Sequence, residues 1–469
     1  MNMNRVKLRA RAKKKKYFKR IDKISKEDDS DGYLSTEDEI EENDNFIGIN
    51  INKQYIITKY LGRGSFSKTW LVYDYLENIF LALKIFDNNY FDELDNEVYY
   101  FKKINNGDTN IIKFYGEIEF KKGDKYNKGI LLELLGDSLT KFLENEYDSI
   151  LTLDIIKKIF KNIVKGVSYI HNQGLVHNDL KLDNILLSKP NKKVLDYMNK
   201  IKDLKIDKYY LEKLNESTPE EIKLLDKNKR KMVKRKIKEK VNKELIKNFK
   251  NKIIKLNNDS LENLKLEIND NEENQNELDQ SELDQRELDQ NELLKKPEIN
   301  LENLDIKIID LGNAELIGDM ECDEILTRSY RPPENILNSY YDNKSDIWVI
   351  GCLLYELVNG NPLFDLSECG VTGIEKDRIH ISQMYEVLGK IPKDIALECE
   401  YSEELFDSKC RIIKNKNINI RDIKEELNNR INLTEIENEE IKNILIKILD
   451  YDYNSRPSCQ ELLEDSWFF

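Results

Sequence analysis

Between residues 189 and 304 the chain carries its charge in blocks and shows almost no pattern that could build a core. Residues 227–255 hold fourteen Lys and Arg against two Glu, and 257–292 hold thirteen acids against two bases. Inside the acidic block a five-residue unit repeats as NELDQ, SELDQ, RELDQ and NELLK. A period of five matches neither 3.5 nor 3.6. Leu278, Leu283, Leu288 and Leu293 would therefore wind around a helix instead of lining one side. The segment is expected to be disordered or transiently helical, without a core of its own. Whatever folds must then be assembled from 46–188 and 305–469, two stretches that meet in space across a long insert.

The chain ends add little to that core. Residues 1–20 carry ten Lys and Arg and no acid, and 22–44 carry eleven acids and two Lys. Residues 1–45 therefore read as a charged disordered tail. The 75 Lys and Arg against 89 Asp and Glu leave a net charge of −14, which argues against a general nucleic-acid coat but allows local basic patches. No apolar run is long enough for a membrane helix, and no apolar segment follows the basic start as in a secretory signal. Cys322, Cys352, Cys369, Cys399, Cys410 and Cys459 form no C-x-x-C pair and read as free thiols. An intracellular chain, cytoplasmic or nuclear, is expected, and so is a monomer without a membrane partner.

Order begins near Phe46. YIITKYLG, KTWLVYDY and FLALKIF have the length and content of strands, and turn residues separate them. ELDNEVYYFKKI has helical spacing, and NIIKFYGEIEF and KGILLELLG are strand-like again. From Ser138 helical patterns dominate, including LDIIKKIFKNIVKGVSYIHNQG, which stops at Gly174 as a helix should. After the insert, SDIWVIGCLLYELVNGNPLF is apolar almost all round, hence a buried helix. A β-rich front and an α-rich back predict two lobes with a cleft between them.

Polar residues in a fixed order point to that cleft. Leu61-Gly62-Arg63-Gly64-Ser65-Phe66-Ser67 lies between two strands, where glycines let backbone approach phosphate oxygens. Lys84 ends the buried run Leu81-Ala82-Leu83, and an ammonium there needs an anion. Glu97 on the next helix is its candidate partner. In VHNDLKLDNILL, Asp179 can accept or orient a hydroxyl proton, Lys181 can neutralise phosphoryl charge, and Asn184 can offer an amide oxygen to Mg²⁺. Asp310 ends an apolar strand and is followed by Leu311-Gly312, as suits a Mg²⁺ ligand. Glu334 in PPE needs a buried cation, and Arg456 in YNSRP is the candidate.

Together these segments resemble a eukaryotic-type serine/threonine protein kinase. LALK is similar to its β3 lysine motif, HNDLKLDN to its catalytic loop, DLG to DFG and PPE to APE. The resemblance is closer still to the SR-protein kinases, which phosphorylate Arg/Ser-rich splicing factors. GRGSFSKTWL, with Ser67 in place of the third glycine and Trp70 after it, LELLGDSL, DLGNA and TRSYRPPE all match that family. So does the long charged spacer between Asn184 and Asp310. Thr69 and Pro332-Pro333 depart from the family pattern. In DRIHISQMYEVLGKIP, which is similar to the region that docks Arg-rich substrates, Glu386 matches one acid and Ile379 replaces another.

The resemblance implies an α+β, two-lobed kinase fold. The N-lobe would span 46–134, the first part of the C-lobe 135–188, the spacer 189–304 and the rest of the C-lobe 305–469. It implies ATP and Mg²⁺ as cofactors and a protein substrate, with Arg/Ser-rich sequences as one class. Leu61, Gly62, Gly64, Ser67, Lys84 and Leu134 would hold the nucleotide, with Leu83 also lining the adenine. Asp179, Lys181, Lys84 and Glu97 would be catalytic, and Asn184 and Asp310 would hold metal. Asn178 replaces the arginine that pairs with a phosphorylated activation loop in many kinases, which predicts activity without that modification. Thr327 is expected to contact Asp179 and Lys181. A pseudokinase scaffold is one alternative. Nucleic-acid or partner binding through residues 1–20 and 227–255 is another.

Overall fold

The computed structural model describes residues 46–104, 110–146, 151–273, 304–318, 327–339, 341–367, 369–398, 400–413, 418–427 and 431–468. The charged tail, the five-residue repeat, Cys322 and Cys399 lie outside them. The front runs form a six-stranded antiparallel sheet in the order β1-β2-β3-β4-β6-β5. Its strands are β1 Asn50–Ile51, β2 Tyr55–Gly64, β3 Ser67–Asp74, β4 Ile79–Phe86, β5 Phe114–Lys122 and β6 Lys125–Glu133. Helix α1, Phe91–Ile104, crosses between β4 and β5 and buries Leu94, Val98 and Phe101. The period of two in β4 sends Ala82, Lys84 and Phe86 to the side facing α1, and Leu83 to the other side.

Behind Glu133 the chain turns helical. Helix α2 spans Leu139–Glu146 and α3 spans Leu153–Asn172. In α3, Ile155, Ile156, Ile159, Phe160, Ile163, Val164, Val167 and Ile170 are buried at helical spacing. Burying each such side chain stabilises by roughly 1.5–3 kcal/mol, so packing and not propensity holds this helix. Gly174 ends it at φ +73°, a left-handed conformation that an L side chain rarely adopts.

Two short ladders then bring the distant halves together. β7, Leu175–Val176, pairs with β10, Glu315–Leu316, and β8, Ile185–Leu187, pairs with β9, Ile306–Ile308. Ile185 faces Ile308 in that register, so Asn184 and Asp310 lie side by side although 126 positions separate them.

The insert departs from expectation. Residues 192–273 are not featureless: α4 spans Lys192–Asp203, α5 spans Ile206–Glu216 and α6 spans Lys227–Glu273. Tyr197, Ile201, Ile206, Tyr210, Val241, Leu245, Phe249 and Ile253 are buried. They lie four apart in short stretches, a stripe too sparse to form a core alone. It borrows the outer face of the N-lobe sheet instead. Tyr210 meets Tyr75 edge-on at 5.1 Å, and the Tyr75 hydroxyl donates to Asn242 Oδ1 at 2.6 Å.

The C-lobe is built around α7, Lys344–Asn359, which is buried on nearly every side. α8, Gly373–Leu388, and α9, Glu435–Ile448, complete it. Thr434 and Glu437 close the start of α9 as a reciprocal capping box. No helix among the described residues is long and apolar enough to cross a membrane.

Glu334 and Arg456 form the expected buried pair, with both guanidinium NH groups 2.7 Å from the two carboxylate oxygens. Arg456 also donates from Nε to the Asp450 carbonyl and lies over the Trp348 ring. Glu334→Ala leaves that guanidinium buried and unpaired, so about 3–5 kcal/mol of stability is lost in urea unfolding. Glu334→Leu combined with Arg456→Met loses less than the single change. A single variant as stable as the parent chain refutes this account.

Candidate active site

Lys84 lies on β4, facing α1. Its ammonium is 2.9 and 3.1 Å from the two oxygens of Glu97 and 3.4 Å from Asp310 Oδ1. Glu97 is buried on α1, so neither partner of this pair is solvated as a surface ion pair would be. Burial pushes the Lys84 pKa down, but the charges of Asp310 and Glu97 outweigh it and hold the ammonium protonated. Burial pushes Glu97 up to about 7, against the pull of Lys84. Burial also acts on Asp310. There the Lys84 charge and the Gly312 N–H win, and its carboxyl sits below its ordinary value. Asn96, beside Glu97, donates to the Gly312 carbonyl at 2.8 Å and ties α1 to the segment after β9.

The loop between β7 and β8 carries the second group. Its anchor is Asp346 on α7, fully buried, which accepts from the backbone N–H of His177 at 2.8 Å and of Asn178 at 3.2 Å. His171 Nε2 lies 2.9 Å from the same carboxylate. Burial raises the Asp346 pKa, but these bonds and the histidine charge outweigh it and leave the group ionised. Asn178 takes φ +62° and Asp310 φ +63°, left-handed positions that short polar side chains tolerate. The loop aims Asp179 at the cleft. Thr327 Oγ1 is 3.2 Å from Asp179 Oδ1, and Lys181 Nζ is 3.5 Å from Asp179 Oδ2. Asn184 Nδ2 donates to the Asp179 carbonyl at 2.8 Å and to Oδ2 at 3.0 Å, which leaves its amide oxygen for another partner. The Asn184 carbonyl accepts from Ile309 N at 2.9 Å, one residue before Asp310.

The glycine-containing loop is the β2–β3 hairpin. Gly62 pairs with Thr69 and Gly64 with Ser67, so Ser65 and Phe66 form the tip. Phe66 packs on Tyr90 at 4.5 Å just before α1. A Cβ on Gly62 would meet nothing within 4 Å, so space remains beside the backbone there. Leu61 and Leu134 are half-buried at the two edges of this region. Leu83 is a correction. It is fully buried, but strand alternation turns it away from Lys84, and Ala82 takes the position facing the cleft. The period of two is sufficient to identify Ala82.

Asp346 and Glu315 carry no sequence signal of their own. Asn178 Nδ2 donates to Glu315 Oε2 at 3.0 Å, and the Tyr341 hydroxyl donates to the same oxygen at 3.0 Å. A carboxylate thus occupies the surroundings of the residue that replaces a phosphate-binding arginine.

The donor set suits a hard, oxygen-seeking cation. A carboxylate at Asp310 and an amide oxygen at Asn184 flank one strand pair. Among the described residues no group of three or more His, Cys, Asp or Glu could form a dedicated cage. Mg²⁺ is ordinarily held in this way, by one or two protein oxygens together with phosphate oxygens.

The protein kinase domain family matches residues 55–208 and 289–468. The serine/threonine-protein kinase SRPK of Physarum polycephalum is 24% identical over 431 residues, 89% of this chain and 86% of that protein. Protein kinase dsk1 of Schizosaccharomyces pombe is 23% identical, covering 89% of this chain and 80% of its own length. Human SRSF protein kinase 3 is 29% identical over 168 residues, 36% of this chain and 29% of that protein. A crystal structure of a kinase domain superposes with TM-score 0.57 at 21% identity, covering 90% of this chain and 97% of that one.

The pH dependence of the Lys84–Glu97 pair follows from its burial. Ionised Glu97 holds Lys84, and protonation through about 7 releases it. Nucleotide affinity is expected to fall as pH is lowered from 8 to 6, and Glu97→Gln is expected to flatten that dependence. A titration by calorimetry checks both, and an unchanged slope in the variant refutes the assignment.

Proposed function

The chain belongs to the protein kinase family, and from that premise we propose how its residues divide the work of moving a phosphoryl group from ATP to a protein serine or threonine. The single observation that carries the reading is the convergence of Lys84, Glu97 and Asp310 within 3.4 Å of one ammonium, one strand pair away from Asp179 and Asn184. Leu61, Ala82 and Leu134 border the base. Gly62, Gly64 and Ser67 cover the triphosphate with backbone, and Lys84, aimed by Glu97, holds its α- and β-phosphates. Asp310 and Asn184 would hold Mg²⁺, which would supply positive charge where phosphate oxygens gather. Asp179 orients the attacking hydroxyl and takes up its proton. Lys181 faces the phosphoryl group in flight. Thr327 holds Asp179 Oδ1 while Asn184 and Lys181 lie on Oδ2, so the direction of the carboxylate is fixed from both sides. The rate gain comes from positioning and electrostatics.

The acceptor is a protein, and Arg/Ser-rich sequence is the class we propose. The names of the relatives support it. On α8, however, Asp377 is paired with Arg328, and Glu375 with Arg378 at 2.7 Å. Recognition of arginine then falls to other acids, such as Glu386. Radiolabel transfer to Arg/Ser-repeat peptides tests the whole assignment. Asp179→Asn is expected to lower turnover by at least about a hundredfold with ATP binding retained. Phosphatase-treated protein is expected to turn over as before, because Asn178 and Glu315 offer no cation to a phosphate. Full activity in the variant, or loss after phosphatase, overturns the corresponding part.

One observation favours an additional reading. α6 packs its apolar stripe on the sheet and turns Lys236, Lys240, Lys243 and Lys247 to the opposite side, all exposed. That face suits single-stranded RNA. Replacing these four lysines by alanine is expected to flatten the slope of log K against log salt by about 0.7 for each phosphate that is no longer neutralised. An unchanged slope removes this reading.

A further inference from the structure

The insert reaches the nucleotide-covering strand through one hydroxyl. The Tyr197 OH on α4 donates to the Thr58 carbonyl on β2 at 2.6 Å, in a buried setting. Thr58 is where the β2–β3 register slips, between the Ile57–Val72 and Lys59–Leu71 pairs, so it has no opposite residue of its own on β3. A buried carbonyl needs a donor, and the insert supplies one. The Thr58 hydroxyl is itself engaged with the Leu71 carbonyl at 3.1 Å. Lys59, the next residue, lies over the Tyr197 ring at 5.1 Å. Gly62 follows four positions after Thr58 on the same strand.

The other end of α4 is tied to the connection between the lobes. Asn191 caps the helix by accepting from Val194 N at 3.0 Å, and its Nδ2 donates to Asp137 Oδ2 at 2.9 Å. Gly136 N donates to the Leu187 carbonyl, and Leu187 N to the Asp137 carbonyl. A Cβ on Gly136 would collide with the Lys189 carbonyl, so the two strands of chain leave no slack. From Asn191 to Tyr197 the helix rises about 9 Å. It is a short rigid strut with a hydrogen bond at each end.

We infer that Tyr197 is a positioning residue for the nucleotide: through the Thr58 carbonyl it sets the height of the strand that carries Gly62 and Gly64. This rests on the reading that those glycines cover the triphosphate. It adds a device outside the cleft, since Tyr197 touches neither Lys84 nor the catalytic loop. The insert is then part of the nucleotide site's support, and its first helix tunes how firmly the loop closes.

The test uses the full-length chain and two small changes. Tyr197→Phe removes one hydroxyl and keeps the ring. It is expected to raise the KM for ATP about fivefold, the worth of one neutral hydrogen bond. The kcat and the peptide KM stay within about twofold. Amide hydrogen exchange at 62–67 becomes faster. Asn191→Ala, which frees the lower end of the strut, gives the same selective change. Leu211→Ala, at an exposed position on α5, changes nothing. An active Tyr197→Phe protein with unaltered ATP KM and unaltered exchange overturns the inference, as does an equal fall in every parameter. If Asp179→Asn transfers phosphate normally, it is the underlying site reading that fails, whatever Tyr197 does.

Discussion

A three-residue antiparallel ladder holds the halves of this molecule together. Ile185–Leu187 and Ile306–Ile308 are short, but their side chains pack between α3 and the sheet lobe. Without that ladder Asp310 would have no fixed relation to Asn184, and the ammonium of Lys84 would face one carboxylate instead of two. The length of chain between the two strands matters less than its size suggests. Loop-closure entropy grows only with the logarithm of length, by about 0.6 kcal/mol per doubling. A long insert is tolerable when its ends are pinned by a ladder, and here part of it contributes burial in return.

The cleft concentrates ionised groups that burial would otherwise neutralise. Lys84, Glu97 and Asp310 compensate one another, Asp346 is compensated by backbone N–H groups and His171, and Glu334 by Arg456. Each set spans elements far apart in sequence. The chemistry of the site and the packing of the lobes are therefore held by the same contacts. A change that removes one charge from a set costs more than removing the set, because the partner remains buried.

Much of this is legible in the amino-acid order. Lys84, Asp179, Asn184 and Asp310 stand out because charged or amide side chains sit at the ends of apolar runs, where only a ligand or a partner could justify them. Glu334 and Arg456 are readable on the same ground. Asp346 is not, since an acid at the start of a helix is ordinary and its acceptor role appears only when the catalytic loop lies beside it. Glu315 likewise shows its purpose only once Asn178 and Tyr341 reach it. The helices of the insert stay hidden because its apolar residues are few and its charge is loud. Tyr197, Tyr210 and Phe249 bury themselves against a surface supplied by another part of the chain, and periodicity within one segment cannot reveal a borrowed partner. Leu83 faces away from Lys84, which the alternation of β4 already contains.

The strut from Asn191 to Tyr197 also has a mechanical meaning. Two lobes joined by a single strand of chain can swivel as well as open. A second attachment, offset from the first, defines an axis. Motion between the lobes is then confined to rotation about the line through both joints, as a door is confined by two hinges where one would let it sag.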